Sequence, residues 1–373
     1  MEGEREPAID ALRGLCLLGI AIVNVPWLGA PIPLSELLLD ESLRSATPAA
    51  DLACAALVEW LAEGKFYPQF SALFGFGAGV LLARGGALYA RRIAVLFGFG
   101  LLHALFGWWG DILLDYALVG VLLGLVALLA PRGILAVAAT SFAASCVLSY
   151  LFDGWLSGGG EDDPAHAAEL AEMVRIYGSG SFAEITARRL DELLGFFAPY
   201  NRSYRANTLT MACLGLWMHR AGLLANLRDK RAALGRIAAA LTVSGLLLAL
   251  VPFLYIPAGD VLGLGWGALF LWLATAPAGS RLLVLAPLGR VAISAYLGQT
   301  LVFTLVFYGY GLGLYGQLGP LAGTALAAAT WLVELALARA WMRHFALGPV
   351  EWLWRSLTHL RPMPMRRPPA QPM

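Results

Sequence analysis

Residues 93–129 read IAVLFGFGLLHALFGWWGDILLDYALVGVLLGLVALL. Two apolar blocks, about Ile93 to Trp109 and about Ile112 to Leu129, meet at the tight turn Trp108-Trp109-Gly110-Asp111. Each is close to the length that crosses the hydrocarbon of a bilayer as a helix. A backbone in lipid finds no water, so it must satisfy its own N–H and C=O groups, and a long apolar block is read as a helix. The same pattern recurs outward in both directions. Before the hairpin come about Leu12 to Leu28 and Phe66 to Leu82. After it come about Ile134–Phe152, Ala206–Leu224, Ile237–Leu254, Val261–Ala276, Val291–Tyr308 and Leu321–Trp341. The expected fold class is all-α, a polytopic membrane helix bundle of about ten transmembrane helices.

Composition agrees. Of 373 residues, 59% are hydrophobic and 14% charged, against about a quarter charged in a soluble domain. A net charge of +1 argues against a nucleic-acid partner, and the partner this composition demands is the lipid bilayer. It leaves the oligomeric state open. The cysteines, Cys16, Cys54, Cys146 and Cys213, form no C-x-x-C pair, and three fall in apolar blocks, so they read as small buried hydrophobes. No secretory signal is visible: the first apolar stretch follows Glu2, Glu4, Arg5 and Asp10, and no small-residue cleavage site ends it.

Charge segregation orients the chain. Alternate loops carry Arg84, Arg91 and Arg92; then Arg132; then Arg220, Arg228, Lys230, Arg231 and Arg236; then Arg281 and Arg290. The opposite loops hold Glu36, Asp40, Glu41 and Asp51, then Asp111, then Glu161-Asp162-Asp163. Basic loops mark the cytoplasmic side, which puts both termini there.

Four regions follow: an N-terminal membrane half, 1–152; an extracytoplasmic amphipathic region, 153–205; a C-terminal membrane half, 206–360; and a disordered cytoplasmic tail, 361–373. Residues 51–64 read as a short amphipathic helix. Within 153–205, Leu170, Met173, Val174 and Tyr177 keep helical spacing, as do Phe182, Ile185, Leu193 and Phe197. Ser181 with Glu184 reads as a capping box, and Gly158-Gly159-Gly160 as a flexible joint. This outer amphipathic-helix insertion is either a lid over a site or a packing element. Gly348-Pro349-Val350-Glu351-Trp352-Leu353-Trp354-Arg355 opens a C-terminal helix suited to the inner interface.

Ionisable groups among lipid tails are costly and are functional candidates by default. Of five histidines only His103 lies within a span. Counting back from the turn at Gly110 gives His103, and counting forward gives the Asp115–Tyr116 region at comparable depth. A carboxylate or phenol there fixes the imidazole tautomer, as a general base requires; a hydrogen bond that only ties two helices together is the other reading. Asp111 caps the fourth span or stands at the mouth of a pocket. Tyr296, Thr300, Thr304 and Tyr308 repeat every four residues, with Gln299 adjacent, as a polar stripe and candidate substrate-binding face. Asn24 lies about three turns beyond Arg13. Asp10 and Arg13 are spaced to pair, and Arg290 opens the ninth span; these arginines either snorkel or form an inner-face site for an anionic donor. Gly75, Gly77 and Gly79 read as a packing face. There is no Walker motif, H-E-x-x-H, G-x-S-x-G or zinc-ligand spacing.

Four segments carry a family resemblance: Ile9-Asp10-Ala11-Leu12-Arg13-Gly14 with Gly19, Ile20 and Asn24; Phe70-Ser71-Ala72-Leu73-Phe74-Gly75-Phe76-Gly77; Arg91-Arg92 through His103 to Gly110-Asp111-Ile112-Leu113, Tyr116 and Gly120; and Gly289-Arg290 with Tyr296 and Gln299, closed by Gly348 to Arg355. On these the chain is identified as a member of the YeiB-like family of bacterial inner-membrane proteins, whose characteristic domain has no established function. The resemblance implies a multi-pass protein of the bacterial cytoplasmic membrane.

More distantly, the first-span pattern resembles heparan-alpha-glucosaminide N-acetyltransferase and other transmembrane acyltransferases. Those move an acyl group from cytoplasmic coenzyme A to an acceptor across the membrane, and pair an Asn at the outer end of the first span with a catalytic His in the following loop. Asn24 matches that Asn, but residues 25–64 contain no His, which leaves His103 as the intramembrane candidate. The resulting expectation is acyl transfer to a small-molecule, lipid or glycan acceptor, with acyl-coenzyme A as co-substrate. His103 is then the base, oriented by Asp111, Asp115 or Tyr116, with Asn24 on the oxyanion and Arg13 and Arg290 near the donor. The alternatives are a small-solute transporter and a non-catalytic envelope protein.

Overall fold

The computed structural model describes residues 6–156, 164–196, 201–251 and 255–366. Its helices are α1 (Pro7–Gly29), α2 (Leu34–Leu39), α3 (Glu41–Ala46), α4 (Ala49–Leu61), α5 (Tyr67–Leu82), α6 (Gly86–Phe106), α7 (Ile112–Val126), α8 (Pro131–Leu156) and α9 (Pro164–Ser179). They continue as α10 (Phe182–Phe196), α11 (Asn201–Arg220), α12 (Arg231–Ala249), α13 (Tyr255–Ala274), α14 (Ala286–Arg290), α15 (Ala292–Phe307), α16 (Pro320–His344) and α17 (Pro349–His359). A 3₁₀ stretch, Pro277–Leu285, precedes α14. The Gly158–Gly160 joint, the Glu161–Asp163 run and residues 367–373 of the tail lie outside the described residues.

Every apolar block of the sequence forms a helix. Among the described residues six are long and apolar enough to cross a bilayer: α1, α6, α12, α16, and α8 and α13 over Pro131–Leu151 and Pro257–Ala274. A seventh arises if the stretch Pro277–Arg290 and α15, which meet at 75°, make one broken span. α5 and α7 are apolar but shorter, and α11 carries Asn207, Thr208 and Thr210 buried along its length.

Close backbone approach holds the bundle together. α5 and α11 touch at two glycines: a Cβ on Gly75 would lie 1.9 Å from the Ala212 carbonyl oxygen, and one on Gly215 would lie 1.8 Å from that of Ala72. The α1–α14 crossing is equally tight, with a Cβ on Gly289 falling 1.8 Å from the Asp10 carbonyl. Of the three glycines expected to form one packing face on α5, Gly75 and Gly79 do so, while Gly77 faces open space.

The ninth expected span does not run straight from Val291. Arg290 ends α14, the chain bends, and the exposed N-terminus of α15 needs acceptors. Glu351 on α17 supplies them. Its Oε1 accepts the N–H groups of Ile293 (2.7 Å) and Ser294 (3.1 Å), and its Oε2 accepts the Ser294 hydroxyl (2.6 Å). Three residues further on, the Trp354 indole donates to the Arg92 carbonyl at 3.0 Å, and the Arg92 guanidinium sits 3.5 Å from the centre of that ring. The start of the tail, expected to be disordered, is pinned as far as Arg366. The Trp352 indole donates to the Met363 carbonyl, Met363 N–H to Ser356, and Ala346 N–H to the Met365 carbonyl.

Glu351→Ala should therefore cost about 2–3 kcal/mol, since hydrogen bonds to a charged acceptor at a helix N-terminus are lost together. Glu351→Gln should recover roughly half of that. Thermal unfolding in lipid nanodiscs measures it, and an unchanged midpoint for the alanine variant would remove α17 as the cap of α15.

Candidate functional site

The centre of the site is built by the α6–α7 turn. His103 is 8% exposed and Asp111 1%. His103 Nδ1 lies 2.7 Å from Asp111 Oδ1, while Asp111 Oδ2 accepts the Leu114 N–H at 2.6 Å. Asp111 thus caps α7 and holds the imidazole with the same carboxylate. With Nδ1 donating to the acid, the neutral ring keeps its lone pair on Nε2. That Nε2 is buried and has no hydrogen-bond partner among the described residues. Gly107 keeps space beside it, because a Cβ there would fall 2.7 Å from His103 Cδ2 and 3.0 Å from Nε2. The third wall is Tyr296, whose ring centre lies 5.1 Å from that of His103 and whose hydroxyl accepts the Ile112 N–H at 3.3 Å.

The orienting partner is Asp111; the neighbouring positions face elsewhere. Asp115 Oδ1 accepts from Arg205 Nε at 2.7 Å, and the Tyr116 hydroxyl meets Ser71 Oγ at 3.1 Å, its ring stacked on Phe74. The reason is local. α6 ends at Phe106, and the Gly107–Gly110 turn folds Asp111 back over the last helical turn. α6 also begins at Gly86, before the expected Ile93, so His103 stands about 26 Å from its start.

Other expected residues are dispersed around this centre. The Asn24 side chain is half-buried on α1 and makes no hydrogen bond among the described residues. Arg13 pairs with Asp10 at 3.1 Å, and Arg290 donates to the Ala346 carbonyl at 3.4 Å. Of the α15 stripe, Thr300 and Thr304 return their hydroxyls to carbonyls of their own helix, those of Tyr296 and Leu301. Gln299 instead reaches α16, where its amide donates to Glu334 at 2.8 Å.

Three polar clusters escaped sequence reading. Asn207 on α11 donates to both oxygens of Asp260 on α13, at 2.9 and 3.0 Å, and the Tyr67 hydroxyl donates to the same acid at 3.2 Å. Glu334 is half-buried in α16. Arg189 on α10 is fully buried, donating to the Phe106 carbonyl at 2.9 Å and to the Tyr310 hydroxyl at 3.0 Å. The available signal was an ionisable residue inside an apolar or amphipathic stretch, which Asp260, Glu334 and Arg189 each provide.

Around α10 the expected capping box is formed. Ser181 N–H donates to Glu184 Oε2 at 2.8 Å and Glu184 N–H to Ser181 Oγ at 3.3 Å. Burial holds the Glu192 carboxyl above the ordinary glutamate range, opposed by the hydrogen bond from Tyr177 and by Arg188. Among the described residues no three His, Cys, Asp or Glu side chains converge as a metal site.

An all-helical chain with this many apolar helices, with His103, Asp111, Asp115 and Asp260 buried and hydrogen-bonded among them, is of the membrane-protein class. It belongs to the family described as "Protein of unknown function (DUF418)", whose model matches residues 218–361. The chain is 30% identical to the "Uncharacterized protein YxaH" of Bacillus subtilis (strain 168), over 98% of this chain and 97% of that protein. It is 28% identical to the "Uncharacterized protein YeiB" of Escherichia coli (strain K12), over 95% and 96% respectively. An "Uncharacterized 39.9 kDa protein in amylase 3'region" of Bacillus acidopullulyticus shares 27% identity over 97% of this chain and 96% of its own length. The YeiB-like resemblance is thereby borne out along nearly the whole chain.

Proposed function

We propose that the chain is a multi-pass protein of the bacterial inner membrane, with about ten spans and both termini in the cytoplasm. In this reading it transfers an acyl group from a cytoplasmic thioester such as acyl-coenzyme A to an acceptor at or across the membrane. The observation that carries the proposal is the His103–Asp111 dyad, a buried imidazole anchored through Nδ1 and unbonded at Nε2. His103 Nε2 removes the proton from the acceptor hydroxyl or amine as that atom attacks the thioester carbonyl. The C–S bond breaks, and the proton passes to the departing thiolate. The free amide of Asn24 is assigned to the oxyanion, and Arg13 and Arg290 to the anionic part of the donor. Tyr296 supports this route, because it stands one turn into α15, just past the bend at Val291 that follows Arg290.

The test is thiol release from acetyl-coenzyme A by purified protein in nanodiscs. His103→Ala should lower the rate by about a hundredfold or more, while an equal rate in that variant would end the catalytic reading.

Buried carboxylates favour a second reading, a proton-coupled small-solute transporter in which Asp115 and the α15 stripe line the path. Solute flux into proteoliposomes that depends on pH and is lost in Asp115→Asn would select it over the enzyme. If His103→Ala keeps full cellular function, a non-catalytic envelope role is what remains.

A further inference from the structure

At the end of the bundle remote from α17, the ends of α1 and α15, the α6–α7 turn and α9 enclose a cavity of about 70 Å³. That is several times the roughly 10–15 Å³ needed to admit one water, room for a small ring. Its walls are aromatic: Trp27 from α1, Trp109 from the turn, Tyr177 from α9, and Tyr308 and Tyr315 from the segment after α15. The cavity shares the α6–α7 turn with the dyad, Trp109 standing two residues before Asp111, while its far wall, Tyr308, lies twelve residues beyond Tyr296.

Among its tyrosine hydroxyls one is unspent. Tyr308 is 1% exposed, yet its hydroxyl makes no hydrogen bond among the described residues. The neighbouring hydroxyls are engaged, Tyr315 donating to the Ala30 carbonyl at 3.2 Å and Tyr177 to Glu192. The Tyr308 oxygen is open to the cavity and not sealed in the core, so it can bond what enters there.

Two ligand classes suit aromatic walls, a cation over the ring faces and a neutral ring that lays its C–H face on them. The charge pattern decides between them. The Arg189 guanidinium already stands 5.1 Å from the Tyr308 ring centre, so a ligand cation would meet a like charge. Glu192, which accepts from Tyr177 at the cavity wall, is matched by Arg188 at 3.0 Å.

We infer that this cavity is a binding site for a neutral, hydroxylated ring of monosaccharide size, stacked on Trp27 and Trp109 and hydrogen-bonded to Tyr308. α9 forms one wall, which gives the insertion a part in ligand binding whether or not the dyad is catalytic.

Isothermal titration of the full chain in lipid nanodiscs, free of glycoside detergent, tests it with glucose, N-acetylglucosamine and choline as probes. Saturable binding of at least one sugar is expected. It should weaken about five- to tenfold in Tyr308→Phe and be lost in the Tyr308→Phe/Trp109→Leu double variant. Helical circular dichroism and monodisperse elution confirm that the variants fold. Binding of choline in place of sugar, no saturable heat with any probe, or a Tyr308→Phe affinity equal to wild type would each overturn the assignment. Because the readout is binding, failure of thiol release leaves this result standing, and the reverse also holds.

Discussion

Gly215→Ala is expected to leave no folded protein. The new Cβ would sit 1.8 Å from the Ala72 carbonyl oxygen, 2.7 Å from its carbon and 2.8 Å from the Phe76 nitrogen. All three are backbone atoms, so no side-chain rotation relieves the clash. α5 and α11 must separate along their shared face, at a cost above about 4 kcal/mol, in the range where a small domain's whole stability is at stake. Gly77→Ala is the matched control, for it lies on the same α5 helix with nothing within 4 Å of its added methyl. It should be neutral or slightly stabilising, since alanine is favoured over glycine in a helix by about 1 kcal/mol. Yield and elution of the two variants from membranes decide the matter: a monodisperse Gly215→Ala protein would mean that α5 and α11 do not approach this closely.

Asp111→Ala carries the next largest cost. It removes the cap on Leu114, worth about 1 kcal/mol, and strands His103 Nδ1 in the interior, worth about 1–3 kcal/mol. The sum, about 2–4 kcal/mol, should appear as a lowered unfolding midpoint in nanodiscs. Asp111→Asn separates structure from chemistry. Its amide oxygen still accepts from Leu114, so most stability returns, but the imidazole loses its carboxylate. Thiol release should then fall by roughly a hundredfold in a protein that unfolds near the wild-type temperature. If Asp111→Asn instead matches wild type in rate, the carboxylate does no more than cap α7.

The hairpin at 93–129 was legible because hydrophobic length and the Gly-Trp-Trp-Gly-Asp turn are local properties of the chain. His103 was legible too, as the one histidine inside a span. Its partner was narrowed to Asp111, Asp115 or Tyr116, but not singled out as Asp111. Equal counting on either side of Gly110 treats both helices as running to the turn, whereas α6 stops at Phe106 and the chain returns through Asp111. The bend at Val291 left only faint marks, Pro287 and the Gly289 that packs on Asp10. Pairs such as Asn207–Asp260 and Arg189–Phe106 join helices far apart in the chain. No single sequence states which distant helices will be neighbours, so each acid or arginine could be flagged but not matched.

The cap that Glu351 places on α15 has a consequence for biogenesis. The helix carrying Tyr296 leaves the ribosome well before α17 does, so its first turn enters the bilayer with its amide groups unsatisfied. The wall beside His103 is therefore set only when the final helix docks. A nascent or prematurely terminated chain would hold every apolar segment and still lack a finished centre, which delays any chemistry there until synthesis is complete.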